Sequence, residues 1–407
     1  MTKAEYFFRI LILGLLTALG PFSIDMYLPG FPAIAKDLHT TVNEVSLSLT
    51  SYFIGLAAGQ LLYGPLLDRF GRKKPLYVGL VIYIVASLGC LFVVSLNQLV
   101  ALRLLQALGS CAAAVTSVAM VRDLFPISEN AKVFSLLMLV VGLSPLLAPT
   151  VGGYVTTFFG WHAVFIVLGG IAILLLFAVI YGLPSAYKPD HELSLKPHTI
   201  MANFIKVLAV PQFYTYALTG ALAFAGLFAY VAASPMVFMK IFDLNKQQFS
   251  LLFALLAGAF VVSSQFNTLA LRKYSSAQLI VAALSVQVIS GIVFVLLAVS
   301  GFLNLTTVVA FVFLFLCCLG FISSNASALS IAPFAKNAGS ASALMGAIQL
   351  GIGSLATMVQ GISKSYSLVP LAAVMTISSI LGLFILLIGR RNIKNNVEAG
   401  KGNVPVH

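Results

Sequence analysis

The sequence contains twelve apolar runs, each about as long as a helix that crosses a lipid bilayer. A membrane-spanning helix needs about 20 predominantly apolar residues, and its backbone groups must be paired within the segment. Barrel strands would be shorter and would alternate polar with apolar residues, which these runs do not. We therefore predict an all-α membrane protein with twelve transmembrane helices. The runs lie at 6–28, 44–67, 75–95, 98–121, 132–157, 162–183, 212–239, 247–270, 278–299, 305–331, 339–361 and 367–389.

The composition excludes a water-soluble protein of this size. Of the 407 residues, 60% are hydrophobic and only 8% are charged, against about 25% charged in soluble globular proteins. So few charges cannot cover a soluble surface, and the lipid bilayer is therefore the first expected partner. The first run lacks a small-residue cleavage site before Asp25, so we expect a retained span rather than a cleaved signal peptide.

One long polar connection, residues 184–210, divides the runs into two sets of six. Near-equal halves indicate a duplicated unit, as in many secondary transporters. We predict two pseudo-symmetric six-helix bundles, 1–183 and 211–407, joined by this linker. Apolar residues around Lys206 are compatible with a short helix on the membrane surface or with an unstructured tether.

Basic residues predict the orientation, because cytoplasmic loops carry an excess of Lys and Arg. With the N-terminus inside, the cytoplasmic loops and tails contain Lys3, Arg9, Arg69, Arg72, Lys73, Lys74, Arg122, Lys132, Lys188, Lys196, Lys206, Arg272, Lys273, Lys336, Arg390, Arg391, Lys394 and Lys401. The outer loops contain only Lys36, Lys240, Lys246 and Lys364. Both termini are therefore expected inside. Trp161, at the outer start of the sixth span, is expected to be an anchor at the membrane interface. The net charge of +12 is a topology signal, and no nucleic-acid partner is expected.

Two ionisable residues, Asp25 and Arg103, lie deep within apolar runs. Such residues are costly in a membrane and usually face a bundle interior or a water-filled cavity. Asp25 lies four residues before Pro29, which we expect to mark the outer end of the first span, and Arg103 lies six residues after Asn97. At 1.5 Å per residue, the depths are roughly 6 Å and 9 Å. The two side chains could therefore meet if their helices are neighbours.

This pair is the best candidate for proton chemistry. Burial favours the neutral form of a carboxyl group, whereas a nearby arginine favours the carboxylate. A conformational change that separates Asp25 from Arg103 would favour proton uptake, and one that joins them would favour release. The alternatives are a static ion pair, or an Arg103 side chain that extends outward to the membrane surface.

The second half has no counterpart to this acid, because aligning Pro235 with Pro29 places Val231 opposite Asp25. Its spans instead contain many phenylalanines and uncharged polar residues, each of which alone is typical of helix packing. Together they predict that the second half supplies an aromatic, weakly polar wall. The polar residues are Tyr230, Ser263, Ser264, Gln265, Asn267, Ser323, Ser324, Asn325 and Gln349.

The connection between the second and third runs, from Gly64 to Pro75, contains four basic residues within six positions. The excess of basic residues inside explains these, but it does not explain Asp68. A carboxylate at a helix end can accept hydrogen bonds from another helix's N-terminus or pair with Arg72. We expect this loop to latch the two halves together in one conformational state.

This loop resembles the signature of the major facilitator superfamily at Gly64, Asp68, Arg69, Gly71, Arg72 and Lys73. The fourth run is similar to the motif of its proton-coupled members at Arg103, Gln106 and Gly109, although Ala107 replaces a glycine often found there. In the second half the equivalent loop is reduced to Arg272-Lys273, with Leu271 near the position of Asp68. A single latch, in the first half, is therefore expected.

The fifth run resembles the antiporter motif of drug exporters at Gly142, Pro145, Pro149, Gly152 and Gly153, although Ala148 stands where the motif has glycine. Proline and glycine there would bend the helix and allow close packing. The segment from Pro21 to Pro29 resembles the first-span signature of the bicyclomycin/chloramphenicol resistance group of twelve-span exporters, and Trp161-His162 also fits that group.

The resemblance implies a drug:proton antiporter of the major facilitator superfamily in the inner membrane, with a lipophilic small-molecule substrate and protons as partners. By that analogy Asp25 is the protonation site, Arg103 is its switch partner, and Asp68 with Arg72 forms the cytoplasmic gate. The resemblance also suggests residues of a central substrate cavity, namely Tyr27, Gln106, Tyr230, Asn325 and Gln349.

Other functions are less compatible with the residues. A proton-coupled carrier of a sugar, nucleoside or amino acid would share the fold, but its site would need several oriented polar groups. An enzyme is not expected, because the five histidines lie in loops, linker, tail or a span edge, without a metal-ligand pair or a serine–histidine constellation. No filter-like segment or ring of charges indicates a channel. We expect a monomer without a cofactor or a metal.

Overall fold

The computed structural model of the chain describes residues 3–184, 189, 197–334, 338–363 and 366–393. Within these ranges it is helical and contains no strand, and twelve helices are long and apolar enough to cross a membrane. The prediction of an all-α membrane protein is thus confirmed. We number the membrane helices α1 (Lys3–Asp25), α2 (Leu47–Phe70), α3 (Lys73–Gly89), α4 (Leu96–Leu124), α5 (Ile127–Phe158), α6 (His162–Gly182), α7 (Pro211–Met236), α8 (Lys246–Ala270), α9 (Ser276–Ser300), α10 (Leu305–Ile331), α11 (Ala338–Ile362) and α12 (Val369–Gly389).

The two halves are built on the same plan. In the first, α1 packs against α4, α5 and α6, α4 packs against α2 and α3, and α3 packs against α6. Adding six to each number gives the pairs of the second half, where α7 packs against α10, α11 and α12, α10 packs against α8 and α9, and α9 packs against α12. The fold is therefore two pseudo-symmetric six-helix bundles.

The bundles meet along two helix pairs, α2 with α11 and α5 with α8. The same shift by six helices exchanges these pairs, so the interface is itself pseudo-symmetric. Because successive spans cross in opposite directions, the connection around Arg72 and the connection around Trp161 lie at opposite ends of the molecule. We call these ends the Arg72 face and the Trp161 face.

Side-chain caps fix the starts of several helices. At α8, Asn245 accepts a hydrogen bond from the backbone of Gln248, whose side chain accepts one from the backbone of Asn245. Ser275 and Gln278 form the same reciprocal arrangement at the start of α9. Such caps satisfy backbone N–H groups that have no partner inside the helix.

The expected end of the first span at Pro29 is wrong. The first helix ends at Asp25, but helical structure resumes at Leu28–Gly30 and continues through Phe31–Asp37. Proline is tolerated in the first turn of a helix, where its missing N–H has no helical partner to lose. Pro29 therefore belongs to a short new helical segment rather than marking a boundary, and Phe31 and Ile34 of the continuation are buried.

A helix at Pro197–Leu208 forms the end of the linker. For those residues, the helix is therefore the correct one of the two alternatives, a short helix or an unstructured tether. Phe204 and Val207 pack with Phe213 of α7 and with Leu344 of α11, and Leu61 of α2 contacts the same cluster. Residues 185–188 and 190–196 of the linker lie outside the described residues. So do several of the basic residues that predict the orientation: Lys188, Lys196, Lys336, Lys364, Lys394 and Lys401.

Candidate functional site

Arg103 lies at the centre of a polar cluster enclosed by the first bundle. Its side chain, on α4, is fully buried, with 0% of its surface exposed. Nη1 donates to Oε1 of Gln106 at 2.5 Å, one turn further along the helix, and Nη2 donates to the backbone oxygen of Ser23 on α1 at 2.9 Å. Nε has no hydrogen-bond partner among the described residues.

Aromatic rings surround the guanidinium group. Its carbon lies 4.2 Å from the ring centroid of Tyr52, 4.7 Å from that of Tyr27 and 6.0 Å from that of Phe165. The electron-rich face of an aromatic ring attracts a cation, most strongly where water is excluded. The rings therefore partly replace the carboxylate that usually accompanies a buried arginine.

Hydroxyl groups hold these rings in place. Tyr52 shares a hydrogen bond of 2.8 Å with Ser110, Tyr83 shares one of 2.6 Å with Ser23, and Tyr27 shares one of 3.1 Å with Ser48. Nε2 of Gln106 donates to Ser87 at 2.7 Å. Through these bonds the side chains that surround Arg103 join α1, α2, α3 and α4.

Asp25 is the last residue of α1 and lies two residues beyond the backbone oxygen that binds Arg103. The carboxyl group is buried, with 7% of the residue exposed. Tyr230 of α7 lies within its electrostatic reach. The Tyr230 ring stacks on Phe253 at 5.7 Å, and its buried hydroxyl has no hydrogen-bond partner in the described part of the chain.

The structure brings the helices of Asp25 and Arg103 together, but it does not bring their charged atoms within ion-pair distance. The condition that the two helices are neighbours is therefore met, but the ion pair is not formed in this conformation. Of the residues around Arg103, the sequence pattern identifies Tyr27 and Gln106 but misses Tyr52, Tyr83 and Ser110. Their positions inside apolar runs were the available signal, because membrane tyrosines are more typical of span ends.

At the Arg72 face, Arg72 forms two ion pairs. Nη1 contacts Oδ1 of Asp68 at 2.7 Å, and Nε contacts Oδ2 of Asp123 at 2.7 Å. Burial lowers the pKa of Arg72, but hydrogen bonds and charge interactions with Asp123 and Asp68 outweigh it and raise the pKa overall. Arg72 therefore stays charged at any physiological pH.

The pairing of Asp68 with Arg72 is confirmed, whereas Asp123 is a partner that the sequence pattern did not reveal. Both ion pairs join elements of the first half, namely the ends of α2 and α4 with the start of α3. A latch between the two halves is not among these contacts. Nearby, the guanidinium of Arg69 lies 5.8 Å from the Phe70 ring, and Gly71 has a φ of 81°, which favours glycine.

We expect Asp123→Asn to lower the free energy of unfolding by about 1–3 kcal/mol, because it weakens a charged hydrogen bond of the half-buried Arg72. Asp68, whose side chain is 49% exposed, should contribute less, under about 1 kcal/mol in Asp68→Asn. Equilibrium unfolding of the purified protein in mixed micelles measures both values. Arg122→Gln, which changes an exposed neighbour on the same helix, is the control. Equal losses in Asp123→Asn and Arg122→Gln would contradict a specific contribution of the Asp123–Arg72 pair to stability.

Helix α5 packs tightly on both of its neighbours through small residues. A Cβ atom on Gly152 would overlap the backbone oxygen of Met26, next to Asp25. On the other side, the hydroxyl of Ser250 on α8 donates to the backbone oxygen of Pro149 at 2.8 Å, and a Cβ on Gly153 would lie 2.9 Å from that hydroxyl oxygen. The motif therefore places α5 between the acid of the first half and the second half. The other motif residues, Gly142 and Pro145, lie earlier in the same helix.

The remaining residues predicted for a substrate cavity have different surroundings. Nδ2 of Asn325 donates to Oδ1 of Asn267 at 2.6 Å, which joins α10 to α8 within the second bundle. Gln349 on α11 is half-buried. A role of the Asn325 and Gln349 side chains in substrate binding stays a prediction. Gly64, which belongs to the predicted cytoplasmic gate, lies on α2 and has no described atom near the position of a Cβ.

Hydrogen bonds also join the two halves near the Trp161 face. The Asn43 side chain donates to the backbone oxygen of Ser363 at 2.7 Å, and Lys246 donates to that of Thr156 at 3.0 Å. Trp161 itself is buried and donates to Asp37 at 3.0 Å. It therefore packs inside the protein, and the expectation that it anchors the chain at the membrane interface is wrong. No group of three or more His, Cys, Asp or Glu side chains in the described ranges could hold a metal ion.

The sequence matches the family model described as the Major Facilitator Superfamily over residues 13–359. The chain belongs to the major facilitator superfamily. It is accordingly a multi-pass membrane protein of a family that transports small molecules, and such transporters are typically not enzymes.

Curated relatives in the superfamily cover most of the chain. The MFS-type transporter YdgK of Bacillus subtilis (strain 168) is 34% identical over 91% of this chain and 92% of its own length. The bicyclomycin resistance protein homolog of Haemophilus influenzae is 33% identical over 97% and 98%, respectively. A chloramphenicol resistance protein of Pseudomonas aeruginosa is 29% identical over 74% and 71%.

Among solved structures, a D-xylose-proton symporter superposes with a TM-score of 0.73 over 98% of this chain and 99% of that chain. The two sequences are 14% identical. This similarity shows the shared fold and carries no information on the substrate.

Proposed function

We propose that this chain exports lipophilic drugs in exchange for protons by alternating access. The observation that carries the proposal is the buried carboxyl group of Asp25, which lies beside the enclosed Arg103 cluster but is not paired with it. A carboxyl group in such a place changes its charge when its surroundings change. The names of the relatives, resistance proteins for bicyclomycin and chloramphenicol, support drug export.

In this mechanism Asp25 carries the proton and Arg103 is its switch partner. The separated arrangement favours a protonated Asp25, and an approach of the guanidinium to the carboxyl group would release the proton. Gln106 and the ring of Tyr27 already contact Arg103 and would guide this movement. One elementary charge crossing 100 mV corresponds to about 2.3 kcal/mol, so one proton can sustain a modest drug gradient.

We further propose that the Arg72 face is cytoplasmic, with both termini inside and the protein in the inner membrane as a monomer. Residues 1–183 and 211–407 would act as the two moving units, connected by the linker at 184–210. The hydrogen bonds near the Trp161 face would then close the outer side of the transporter. The Arg72 loop would serve as a cytoplasmic gate, in which Asp68 and Arg72 keep the ends of three helices together.

An alternative is a proton-coupled carrier of a hydrophilic metabolite. Aromatic side chains favour lipophilic cargo, because Phe224 and Phe228 stack at 6.0 Å on α7 and Phe228 meets Phe53 of α2 at 4.5 Å across the two halves. A hydrophilic substrate would need several convergent polar groups instead.

Ligand-induced proton release tests the proposal. Purified protein in weakly buffered detergent solution is mixed with chemically diverse antibiotics, and a pH-sensitive dye records released protons. We expect release with one or more lipophilic antibiotics and none with sugars, nucleosides or amino acids. Release with the metabolites alone would favour the alternative, and proton-independent drug transport in proteoliposomes would contradict antiport.

A further inference from the structure

We propose that Tyr52 is a positioning residue that transmits movement of the interface between the halves to Arg103. This inference rests on the proposed function and deepens it, because it names the element through which drug-driven rocking reaches the proton site. It is carried by contacts on neighbouring positions of one helix, α2. One set of contacts holds Arg103, and the other holds the second half.

The contact with Arg103 is direct. The Tyr52 ring gives the shortest of the three cation–ring distances, 4.2 Å, and its hydroxyl is bonded to Ser110 on α4 at 2.8 Å. Ser110 lies seven residues after Arg103, which is two helical turns and thus the same face of α4. Tyr52 is fully buried, so its ring cannot move away without a shift of α2.

Close packing keeps the backbones of α2 and α4 in contact at this level. A Cβ on Gly55 would lie 2.6 Å from the backbone oxygen of Leu104 and 2.7 Å from the Cβ of Ala107. Only a glycine allows the two backbones to approach so closely. Tyr52, one turn before Gly55, is therefore held at a fixed height against Arg103.

The contacts with the second half lie on both sides of Tyr52 in sequence. The hydroxyl of Thr50 shares a hydrogen bond of 2.9 Å with Thr357 on α11, and the Phe53 ring lies 4.5 Å from that of Phe228 on α7. When the halves rock, α11 and α7 must pull on α2 at these positions. A rotation of α2 about its close contact with α4 then moves the Tyr52 ring relative to Arg103 and changes the freedom of Arg103 to approach Asp25.

Other titratable groups face Arg103 and must be considered in a pH measurement. Tyr27 lies just beyond α1, Tyr83 and Cys90 lie on or just after α3, and all three are within electrostatic reach of the guanidinium, as is Tyr52 itself. From the second half, Tyr230 is within reach of Asp25. Tyr52 lies two residues from Thr50, whose hydroxyl bonds to Thr357 on α11.

The experiment measures the protonation of Asp25 by infrared titration of its carboxyl band, which is assigned by its loss in Asp25→Asn. Because no drug is needed, the result is independent of whether the chain exports drugs. In Tyr52→Leu the cation–ring contact is lost, and Arg103 becomes freer to approach the carboxylate. We expect the titration midpoint to fall by about one pH unit, a roughly tenfold change in proton affinity.

Two variants isolate the cause. Tyr52→Phe keeps the ring and should stay within about twofold of the unmodified protein, whereas a shift as large as that of Tyr52→Leu would overturn the role of the ring. Tyr63→Leu, a buried tyrosine of the same helix away from Arg103, should leave the midpoint unchanged. If Tyr52→Leu does not yield folded protein, Ser110→Ala, which frees the ring hydroxyl, should shift the midpoint in the same direction.

Transmission from the interface is tested by a double-mutant cycle with Thr50→Val, which removes the bond to Thr357. We expect Thr50→Val to shift the midpoint in the unmodified protein and to have little effect in Tyr52→Leu, because the connection is already broken. Additive shifts would show that Tyr52 and Thr50 act separately and would overturn the proposal. If no compound releases protons while this cycle is non-additive, the proposed function fails and the positioning role stands.

Discussion

Replacement of Asp25 by Asn should abolish drug-driven proton release and proton-driven drug transport. The amide has nearly the shape of the carboxyl group but can neither take up nor lose a proton in the relevant pH range. Since no other acidic side chain within the described residues lies beside the Arg103 cluster, nothing can replace its charge change. The measurement is proton release on addition of a compound that the unmodified protein recognises, followed by uptake into proteoliposomes with an imposed pH gradient.

The matched control for Asp25→Asn is Asp37→Asn, which changes the next acidic residue along the chain. Asp37 accepts a hydrogen bond from Trp161 at 3.0 Å and lies at the end of the short helix that follows Pro29. We expect this variant to lose some stability and to retain coupling. Intact proton release in Asp25→Asn, or equal loss in both variants, would refute the assignment of Asp25 as the proton carrier.

Gly152→Ala should be nearly as damaging to transport, although it changes no charge. The added methyl group would overlap the backbone of Met26, so α1 and α5 must separate beside Asp25. Overpacking of this kind typically costs about 1–3 kcal/mol. We expect a corresponding loss in the free energy of unfolding and a strong loss of transport, measured by equilibrium unfolding and by proteoliposome uptake.

Gly142→Ala provides a comparison within the same helix and the same motif. A Cβ at Gly142 would lie 3.8 Å from the nearest atoms, methyl carbons of Val261 on α8, which is ordinary van der Waals contact. This variant should therefore transport normally and be as stable as the unmodified protein. If both variants transport normally, close packing of α5 on α1 is not required for the cycle.

The sequence predicts the helical part of the fold well because each span carries its own signal. A run of about 20 apolar residues can satisfy its backbone only as a helix in lipid, whatever its neighbours are. The exception is the region of Pro29, where the same residue type can end one helix or begin another. Only the packing of Phe31 and Ile34 inside the protein decides between these outcomes.

The candidate site is less predictable because its geometry depends on how helices rotate against each other. Asp25 and Arg103 are conspicuous as charges in apolar runs, yet their sequence positions cannot show whether the two groups touch. The positions of Tyr52 and Tyr83 inside their spans are unusual for tyrosine, but they do not show which group the rings contact until α2, α3 and α4 are packed around Arg103. Asp123 stands at a helix end beside Arg122, where its partner in another loop cannot be deduced from spacing.

The pairing of α2 with α11 and of α5 with α8 has an energetic consequence. A half-turn rotation exchanges these two helix pairs. Tilting one bundle against the other therefore loosens the contacts of one pair by about as much as it tightens those of the other. The inward-open and outward-open forms can then be close to isoenergetic, and a small bias is sufficient to change which form predominates. The binding of a single hydrogen ion on one side of the interface between the bundles can bias this balance sufficiently.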